Sequence, residues 1–234
     1  MSTQISIIIP VFHEGDIINN TLIHIRKSFG NPAPEIIVAD GSPEQDSLDA
    51  LKEKALKKIS SPKGRGRQMN RGAAAAAGDI LLFLHADTRL PDRAGEKIIR
   101  VLRKKNYAAG AFSLGIDSVK KRYRLLEKAA NLRTRISRIP YGDQAFFIRK
   151  DIFSAVGGFR DIPIMEDVEL MRRIKRKGLK IGIIPDPVMT SARRWEKEGL
   201  LYGMLRNRFL ILLFAWGISP EKLLQYYRPH RGAD

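Results

Sequence analysis

Uninterrupted apolar runs that end in polar residues predict the first strands of this chain. Three such runs lie at residues 5–11, 35–40 and 78–88. Runs of this length without alternation are typical of strands that are buried on both faces. Between the first two runs, apolar residues recur at the spacing of one helix face: Ile18, Leu22, Ile25 and Phe29. The strand, helix, strand order with short connections predicts a parallel sheet in an α/β fold.

The remainder of the chain alternates between helical and extended patterns in the same way. We expect strands at residues 108–116, 145–148 and 180–184, and helices at residues 47–59, 91–105, 119–138, 152–156 and 166–178. Pro10 is expected to end the ladder pairing of the first strand, and Pro185-Asp186-Pro187 to end the last one. The longest apolar stretch, residues 209–218, is shorter than the roughly 20 residues that a membrane-spanning helix needs.

Two of the predicted strands end in an acid. Asp40 ends the second apolar run and Asp87 ends the third, with His85 two residues earlier on the same strand face. Ligands of open α/β sheets bind outside the carboxyl ends of the strands, so both acids are expected to face one crevice. Asp40 would accept hydrogen bonds from a ribose there, and Asp87 would lie at a metal or phosphate site. The alternative is that each acid only forms a turn or caps the following segment.

A cationic segment, residues 60–72, contains Gly64 and Gly66 among its cations and is expected to form a flexible loop suited to phosphate. Its cations are Lys63, Arg65, Arg67 and Arg71. The segment is not a dinucleotide fingerprint, because Met69 stands where the third glycine of that motif belongs. It is not a P-loop either, because it lacks Gly-Lys-Ser/Thr.

The composition adds a strong positive charge to this picture. The chain has 42 Lys and Arg against 25 Asp and Glu, a net charge of +17. Such a charge indicates a polyanionic partner or surface, namely nucleic acid, anionic lipid or a phosphate-bearing substrate, or else a solvated, repulsive surface. A nucleic-acid-binding module is disfavoured, because the aromatic residues lie mostly in apolar runs and are not interleaved with the cations.

The cysteine count and the first residues bear on the cellular setting. The chain has no cysteine, which excludes a disulfide framework and thiolate chemistry. The first four residues lack the basic region of a signal peptide, and residues 5–11 read better as a strand. We therefore expect a cytoplasmic protein.

Five sequence blocks in order resemble the family 2 glycosyltransferases of the GT-A fold, over residues 5 to about 195. The blocks are residues 8–14 (Ile-Ile-Pro-Val-Phe-His-Glu), 38–42 (Val-Ala-Asp-Gly-Ser), Asn70-Arg71-Gly72 ahead of Ala77-Gly78-Asp79, 83–87 (Phe-Leu-His-Ala-Asp), and Gly157-Gly158-Phe159 followed by Glu166-Asp167. The resemblance implies a Rossmann-like, mostly parallel central sheet flanked by helices, with a helical C-terminal end. Residues 1–195 would form the nucleotide-sugar-binding and catalytic domain, and residues 196–234 a helical extension of the same domain.

The resemblance also implies roles for particular residues, beginning with a nucleotide-diphospho-sugar donor. The residues expected to hold its base and ribose are Pro10, Val11, Glu14 and Asp40, and those in the nucleotide-proximal segment are Asn70 and Arg71. Asp87 matches the second acid of the D-x-D motif, which binds a divalent cation, Mg or Mn. Asp167 matches the usual catalytic base of an inverting transfer, with Glu166 beside it. The helix dipole alone also explains acids at that helix start.

One position departs from the family pattern, because His85 replaces the first acid of D-x-D. An imidazole there would ligate Mn or bond the nucleotide. The His-Ala-Asp block, Gln68-Met69-Asn70 and residues 191–195 resemble one bacterial subgroup of the family. Arg193, Arg194 and Trp195 are candidates on that ground, because a cation pair beside an aromatic ring could clamp a diphosphate or stack on a sugar. The alternative is an exposed basic turn with a half-buried Trp.

The sequence also leaves open two other functions and suggests one membrane-binding surface. A sugar-phosphate nucleotidyltransferase would use a related sheet and metal, and a nucleic-acid-binding module would use the charge. The acceptor is not identified by the sequence. Residues 119–138 and 200–218 would seat the protein on an anionic membrane, on the inner face of the cell membrane, which would suit a lipid-linked acceptor.

Overall fold

The structure, a computed structural model, describes residues 4–29 and 33–227, without the side chains of residues 194, 197, 198, 200 and 201. The strands are β1 (Ile5–Val11), β2 (Glu35–Asp40), β3 (Lys57–Ser60), β4 (Ile80–Phe83), β5 (Thr88–Arg89), β6 (Tyr107–Asp117), β7 (Phe147–Arg149) and β8 (Lys180–Ser191). The helices are α1 (Gly15–Phe29), α2 (Asp46–Asp49), α3 (Arg65–Ala75), α4 (Ala94–Leu102), α5 (Lys121–Ser137), α6 (Lys150–Ala155), α7 (Glu166–Arg176), α8 (Arg193–Glu198), α9 (Leu200–Ala215) and α10 (Pro220–Leu224). A 3₁₀ turn covers Gly142–Gln144.

One mixed, mostly parallel sheet carries the fold, in the order β3, β2, β1, β4, β7, β6, β8, β5. The parallel pairs are β1 with β2 and β4, β2 with β3, and β6 with β8. Strand β7 runs antiparallel to β4 and β6, and β5 runs antiparallel to β8. The α/β class and the mostly parallel sheet predicted from the sequence are therefore confirmed. The carboxyl ends of β1, β2 and β4 lie side by side.

Helices cover both faces of the sheet and divide the core into two large clusters. One cluster joins the sheet to the buried faces of α1 and α4, and the other joins it to α3, α6 and α7. Helix α3 approaches β1 so closely that a Cβ atom on Gly72 would lie 2.5 Å from Cγ2 of Ile8. The small residues of α3 thus permit this packing, as the alanine-rich sequence indicates.

The helix predicted at residues 47–59 is wrong. Only the short α2 forms there, and residues 57–60 become the edge strand β3, which pairs with β2. The backbone of β2 needs a hydrogen-bonding neighbour on its outer side, and this long-range requirement overrides the helical spacing of the apolar residues.

The flexible cationic loop predicted at residues 60–72 is also wrong from Arg65 onward. Helix α3 begins there, and Arg65 and Arg67 form ion pairs with Glu166 and Asp161. These acids lie 101 and 94 residues away along the chain, so the sequence pattern of the segment could not reveal them. Lys63 precedes the helix, and its ammonium lies 4.6 Å from the ring centroid of Phe12.

All three prolines that were expected to stop a strand lie inside one. Pro10 pairs with Ala39 in β1, and the pairing of β1 with β4 ends at Ile8, so the missing N–H of Pro10 removes no ladder bond. Strand β8 continues to Ser191, because the register shifts between Ile184 and Pro187 and leaves the intervening residues out of the ladder. A bulge of this kind accommodates proline.

The C-terminal helices pack against the segment that precedes α7. Leu210 of α9 and Leu223 of α10 are fully buried in one cluster with Ile164. Within the described residues, no helix is both long and apolar enough to cross a membrane. The division into residues 1–195 and 196–234 stays a prediction, and residues 228–234 lie outside the described part.

Candidate active site

Asp40 lies at the carboxyl end of β2 with a fully buried side chain. Its Oδ1 accepts a hydrogen bond from the backbone N–H of Ser42 at 2.8 Å. Its Oδ2 is buried and accepts no hydrogen bond from any described residue. A buried carboxylate oxygen without a donor is costly, so this oxygen is suited to an N–H or O–H group of a ligand.

Gln68 of α3 ties the ends of β1 and β2 together beside Asp40. Its Nε2 donates to the carbonyl oxygens of Val11, at 2.6 Å, and Ala39, at 3.0 Å. A Cβ on Gly41 would lie 2.8 Å from Cδ of Gln68, so the strand end and the amide fit closely. Val11 is buried beneath this edge and Pro10 is partly buried. Sequence reasoning quoted Gln68 in a motif but gave it no role.

Three residues predicted from the sequence converge at the same edge. Nη2 of Arg193, at the start of α8, lies 3.8 Å from Oε2 of Glu14 and 4.0 Å from Oδ2 of Asp87. Burial raises the pKa of Glu14, the Arg193 guanidinium opposes this rise, and the Asp87 carboxylate adds to it. Two carboxylates thus share one cation. A metal ion that carries a diphosphate could take the place of this cation.

His85 and Asp87 do not share a strand face, because β4 ends at Phe83 and both residues lie in the turn before β5. The imidazole instead lies against Gly142. A Cβ on Gly142 would be 3.1 Å from Nε2 of His85 and 3.2 Å from Oδ2 of Asp167. The absence of a side chain at this glycine therefore lets His85 and Asp167 line one cavity.

Asp167, in the first turn of α7, is held by two backbone donors. Its Oδ2 accepts a hydrogen bond from the N–H of Gly142 at 2.5 Å, and its Oδ1 accepts one from the N–H of Val168 at 2.7 Å. Its side chain is 6% exposed. It borders a cavity of about 100 Å³, lined also by Arg65, His85, Tyr141, Trp195 and Tyr227. The carboxylate is thus fixed in orientation at the edge of a space that could admit a hydroxyl group.

Glu166 is buried beside Asp167 and forms an ion pair with Arg65. Burial raises the pKa of Glu166, the Arg65 guanidinium opposes the rise, and the Asp167 carboxylate adds to it. Burial opposes a rise in the pKa of Arg65, but the carboxylates of Glu166 and Asp167 outweigh it and raise this pKa. The arrangement fixes a guanidinium next to Asp167, and sequence reasoning had assigned Arg65 to a phosphate loop instead.

The remaining candidates are Asn70, Arg71, Arg194 and Trp195. The Asn70 amide exchanges two hydrogen bonds with the Phe159 backbone, at 2.8 and 2.9 Å, and thereby fixes the loop before α7. Arg71 is exposed and its Nη1 donates to the carbonyl of Ser60. Trp195 lines the Asp167 cavity, whereas the side chain of Arg194 lies outside the described side chains.

Residues of the turn at Gly142–Gln144 are a part of the site that sequence reasoning missed. Oε1 of Gln144 accepts hydrogen bonds from the backbone N–H of Tyr141 and from the hydroxyl of Thr134. Its Nε2 donates to the carbonyl of Phe112. The turn is thus anchored to α5 and β6 while it presents Gly142 to Asp167. The only signal in the sequence is a Gly-Asp-Gln segment before a strand, and it does not reveal this partner.

Comparison with known proteins gives a family and a fold. The model of the family described as "Glycosyl transferase family 2" matches residues 6–162. The chain is 25% identical over 221 residues to "Probable glycosyltransferase YdaM" of Bacillus subtilis (strain 168), a match that covers 83% of the chain and 51% of that protein. It is 28% identical over 97 residues to glucosyl-3-phosphoglycerate synthase of Mycolicibacterium smegmatis, covering 38% of the chain and 32% of that protein. The chain thus spans about half the length of the first of these relatives, and the match to the second covers about a third of its length.

Two solved structures share the fold at low sequence identity. A crystal structure of glucosyl-3-phosphoglycerate synthase from Mycobacterium tuberculosis, in complex with Mn²⁺, UDP and phosphoglyceric acid, has a TM-score of 0.62 and 18% identity, over 93% of this chain and 80% of that chain. A structure of S. aureus TarS 1–349 has a TM-score of 0.63 and 15% identity, over 81% and 60%. Neither the nucleotidyltransferase nor the nucleic-acid-binding interpretation gains support from these matches. On the family match, the chain belongs to glycosyl transferase family 2.

Proposed function

We propose that the chain transfers a sugar from a nucleotide-diphospho-sugar to an acceptor hydroxyl. The observation that carries this proposal is the convergence of three groups of acids within the family fold. Asp40 lies at the end of β2, Glu14 and Asp87 lie on either side of Arg193, and Asp167 borders a cavity beside His85. The family match supports the reaction class.

The nucleoside of the donor is proposed to bind over the ends of β1 and β2. The buried Oδ2 of Asp40 lacks a donor among the described residues, and a ring N–H or ribose hydroxyl would supply one. Pro10, Val11 and Glu14 would border the same nucleoside. Asn70 and Arg71 remain proposed nucleotide-proximal residues, although the hydrogen bonds they form go to backbone groups.

A divalent cation, Mg²⁺ or Mn²⁺, is proposed to accompany the diphosphate. The described residues contain no cluster of three or more potential metal ligands, but two carboxylates, Glu14 and Asp87, lie near one guanidinium. This set fits such a cation, because Mg²⁺ is usually held by one or two carboxylates together with substrate phosphates. Asp87 would be the main ligand, and His85 would ligate the cation or contact the nucleotide. When bound, the cation would neutralise charge on the leaving diphosphate. The Mn²⁺ and UDP in the related synthase structure support this proposal.

Asp167 is proposed to act as the general base. The acceptor oxygen forms a bond to the anomeric carbon and gives its proton to Asp167, while the diphosphate leaves with the bonding electrons. A single base opposite the leaving group would give inversion. Glu166 would hold Arg65 beside the cavity, while Arg193, with Arg194 and Trp195 nearby in the chain, would contact the diphosphate or the sugar.

A peripheral contact with an anionic membrane is proposed from the outer faces of α5 and α9. Large apolar side chains are more than half exposed there: Leu125, Leu132 and Ile136 on α5, and Leu205, Phe209 and Leu212 on α9. Exposed cations of α5 surround its apolar residues: Lys121, Arg122, Lys128 and Arg135. Apolar side chains beside cations favour anionic interfaces, and a lipid-linked acceptor on the inner face of the cell membrane would match such a location.

The donor proposal is tested by thermal unfolding of the full chain in a panel of nucleotide sugars, with and without Mn²⁺. A ligand that binds the folded state raises the midpoint with concentration. We expect one donor class to raise the midpoint more with Mn²⁺ than without it, and the Asp87→Ala variant to lose the Mn²⁺ dependence. If no nucleotide sugar changed the midpoint with or without metal, the proposed function would be wrong.

A further inference from the structure

Arg133 of α5 carries hydrogen-bond donors that no described residue uses. Its guanidinium carbon lies 3.2 Å from the ring centroid of Tyr141, and its Nη2 donates to Thr134 Oγ1 at 2.9 Å and contacts Gln144 Oε1 at 3.4 Å. Its Nε and Nη1 atoms are buried and have no acceptor among the described residues. Leaving donors of a charged group buried and unpaired is costly, so they point to a ligand that is bound there in function.

These donors lie beside the cavity of the proposed base. Tyr141 lines the Asp167 cavity and also a second cavity of about 90 Å³ between α5 and α9, which Arg133 borders. Trp195 and Asn207 line both spaces as well. The two cavities are thus neighbours that share a wall, and a molecule with its hydroxyl at Asp167 could reach Arg133.

Two further arginines lie close to Arg133. A third space of about 280 Å³ is lined by apolar residues together with Arg133, Arg172 and Arg208. The ion pairs found among the described residues do not include these three arginines. Burial lowers the pKa of Arg133 to about 10, against the Asp143 and Asp167 carboxylates, so its guanidinium is still charged at neutral pH. Asp143 is the acid that lines the second cavity with it.

We propose, on the basis of the proposed function, that the acceptor carries an oxyanion that binds Arg133 and Arg208 while its hydroxyl reaches Asp167. A phosphate or carboxylate oxygen would accept from the unused Nε and Nη1 donors, and charge-assisted hydrogen bonds of this kind are among the stronger ones. Arg208 adds a second cation from α9, and apolar residues of α5 and α9 cover the rest of the acceptor. The oxyanion belongs either to a small phosphorylated or carboxylated alcohol or to a lipid headgroup.

The experiment uses inorganic phosphate as the probe and calorimetric titration of the full chain at low ionic strength. Three variants are compared: Arg133→Gln, Arg208→Gln, and the control Arg100→Gln, which removes an exposed cation of α4. We expect Arg133→Gln to weaken phosphate binding at least tenfold and Arg208→Gln to weaken it severalfold, with Arg100→Gln within twofold of wild type. Phosphate bound at the donor site would not respond to Arg133, so an unchanged phosphate affinity in Arg133→Gln would exclude a small acceptor from this subsite.

Two further comparisons complete the test. Arg208 lies on α9 and takes no part in the hydrogen bonds by which Gln144 anchors the Gly142–Gln144 turn, so a loss in both variants would not follow from release of that anchor. Titration with phosphatidic acid vesicles against phosphatidylcholine vesicles separates the sources, because a loss in Arg133→Gln for the vesicles alone indicates a headgroup and a loss for free phosphate indicates a small acceptor. No loss in either arm contradicts the oxyanion. The nucleotide-sugar panel reports on the donor site alone, so the two proposals can fail separately.

Discussion

Asp167 is buried, yet both of its carboxylate oxygens are oriented by backbone N–H groups, from Gly142 and Val168. Backbone donors hold a carboxylate in one rotamer without neutralising it. A general base needs a fixed position within hydrogen-bond reach of the proton that it takes. The residue thus combines an orientation that the fold imposes with a place at the edge of a cavity.

The Asp167→Asn variant keeps the size of this side chain but removes its basicity. We expect transfer to fall by a factor of about 10² to 10⁴, the contribution typical of a positioned base, with donor affinity close to wild type. Steady-state kinetics and donor titration measure the two quantities. An unchanged turnover with every donor that binds would show that the base lies elsewhere.

Glu14 makes the stability of the protein depend on pH. Because burial raises its pKa in the folded state, its charged form destabilises the fold, and this penalty appears as the pH rises above the ordinary value of a glutamate. We expect Glu14→Gln to raise the midpoint of thermal unfolding at neutral pH relative to wild type. The difference should vanish near about pH 4, where the wild-type carboxyl is also protonated.

The exposed Glu44, 65% exposed in its side chain, provides the matched control. Glu44→Gln should leave the midpoint unchanged at both pH values, because its charge is already solvated. A Glu14→Gln midpoint equal to or below wild type at neutral pH would contradict the prediction.

At the scale of elements, the loop between α6 and α7 is held by α3. The Asn70 amide bonds to both backbone groups of Phe159, whose ring packs 5.0 Å from that of Phe83 at the end of β4. A Cβ on Gly158, which has a φ of +62°, would lie 2.7 Å from Oδ1 of Asn70. The Gly-Gly-Phe block is therefore tied to the sheet and sets where α7 begins.

We expect Asn70→Ala to destabilise the fold by about 1–3 kcal/mol, because it leaves the Phe159 N–H and C=O without their partner. Chemical denaturation of the variant measures the loss, and Arg71→Ala, at an exposed neighbouring position, serves as the control. Equal stabilities of the two variants would contradict the role assigned to the amide. A loss of donor affinity in folded Asn70→Ala would add the nucleotide contact that the family resemblance implies.

Element boundaries show where sequence patterns were sufficient. The apolar spacing of α1 and the acid-to-cation gradient of α7 predicted both helices, because each is set by local residues. Strand β3 and the continuation of β8 beyond residue 184 were missed, because pairing with distant strands decided them. Local patterns report the burial of a segment's own faces and not the needs of its neighbours.

At the scale of the whole molecule, some of the surplus cations form ion pairs within the fold and others are exposed on one surface. Arg65 and Arg67 are paired across the fold, whereas exposed cations on α5 flank apolar residues that lack cover in the described structure. The same two helices, α5 and α9, line the cavities around Arg133. A membrane bound at this surface would lie next to the proposed acceptor subsite.

We expect the full chain to co-sediment with anionic vesicles at low salt, and a smaller fraction to do so at 0.15 M salt, where the screening length is about 8 Å. Replacing Leu132 and Phe209 by Ser should weaken this binding severalfold, since both side chains are more than half exposed. Ile23→Ser, at an exposed apolar position of α1, is the control and should bind as wild type does. Failure of the wild type to co-sediment at low salt would remove the membrane contact.

The sequence by itself determined the fold class, the family, and the two acids that end the second and third apolar runs, Asp40 and Asp87. These features depend on local apolar patterns and on the order of short sequence blocks. The tertiary structure alone decided that Arg193 lies between Glu14 and Asp87, that Gly142 orients Asp167, and that Arg133 keeps unused donors. Each of these contacts joins residues that are distant along the chain or lie on different elements. Their distances follow from how helices and loops pack on the sheet, and no local pattern encodes them.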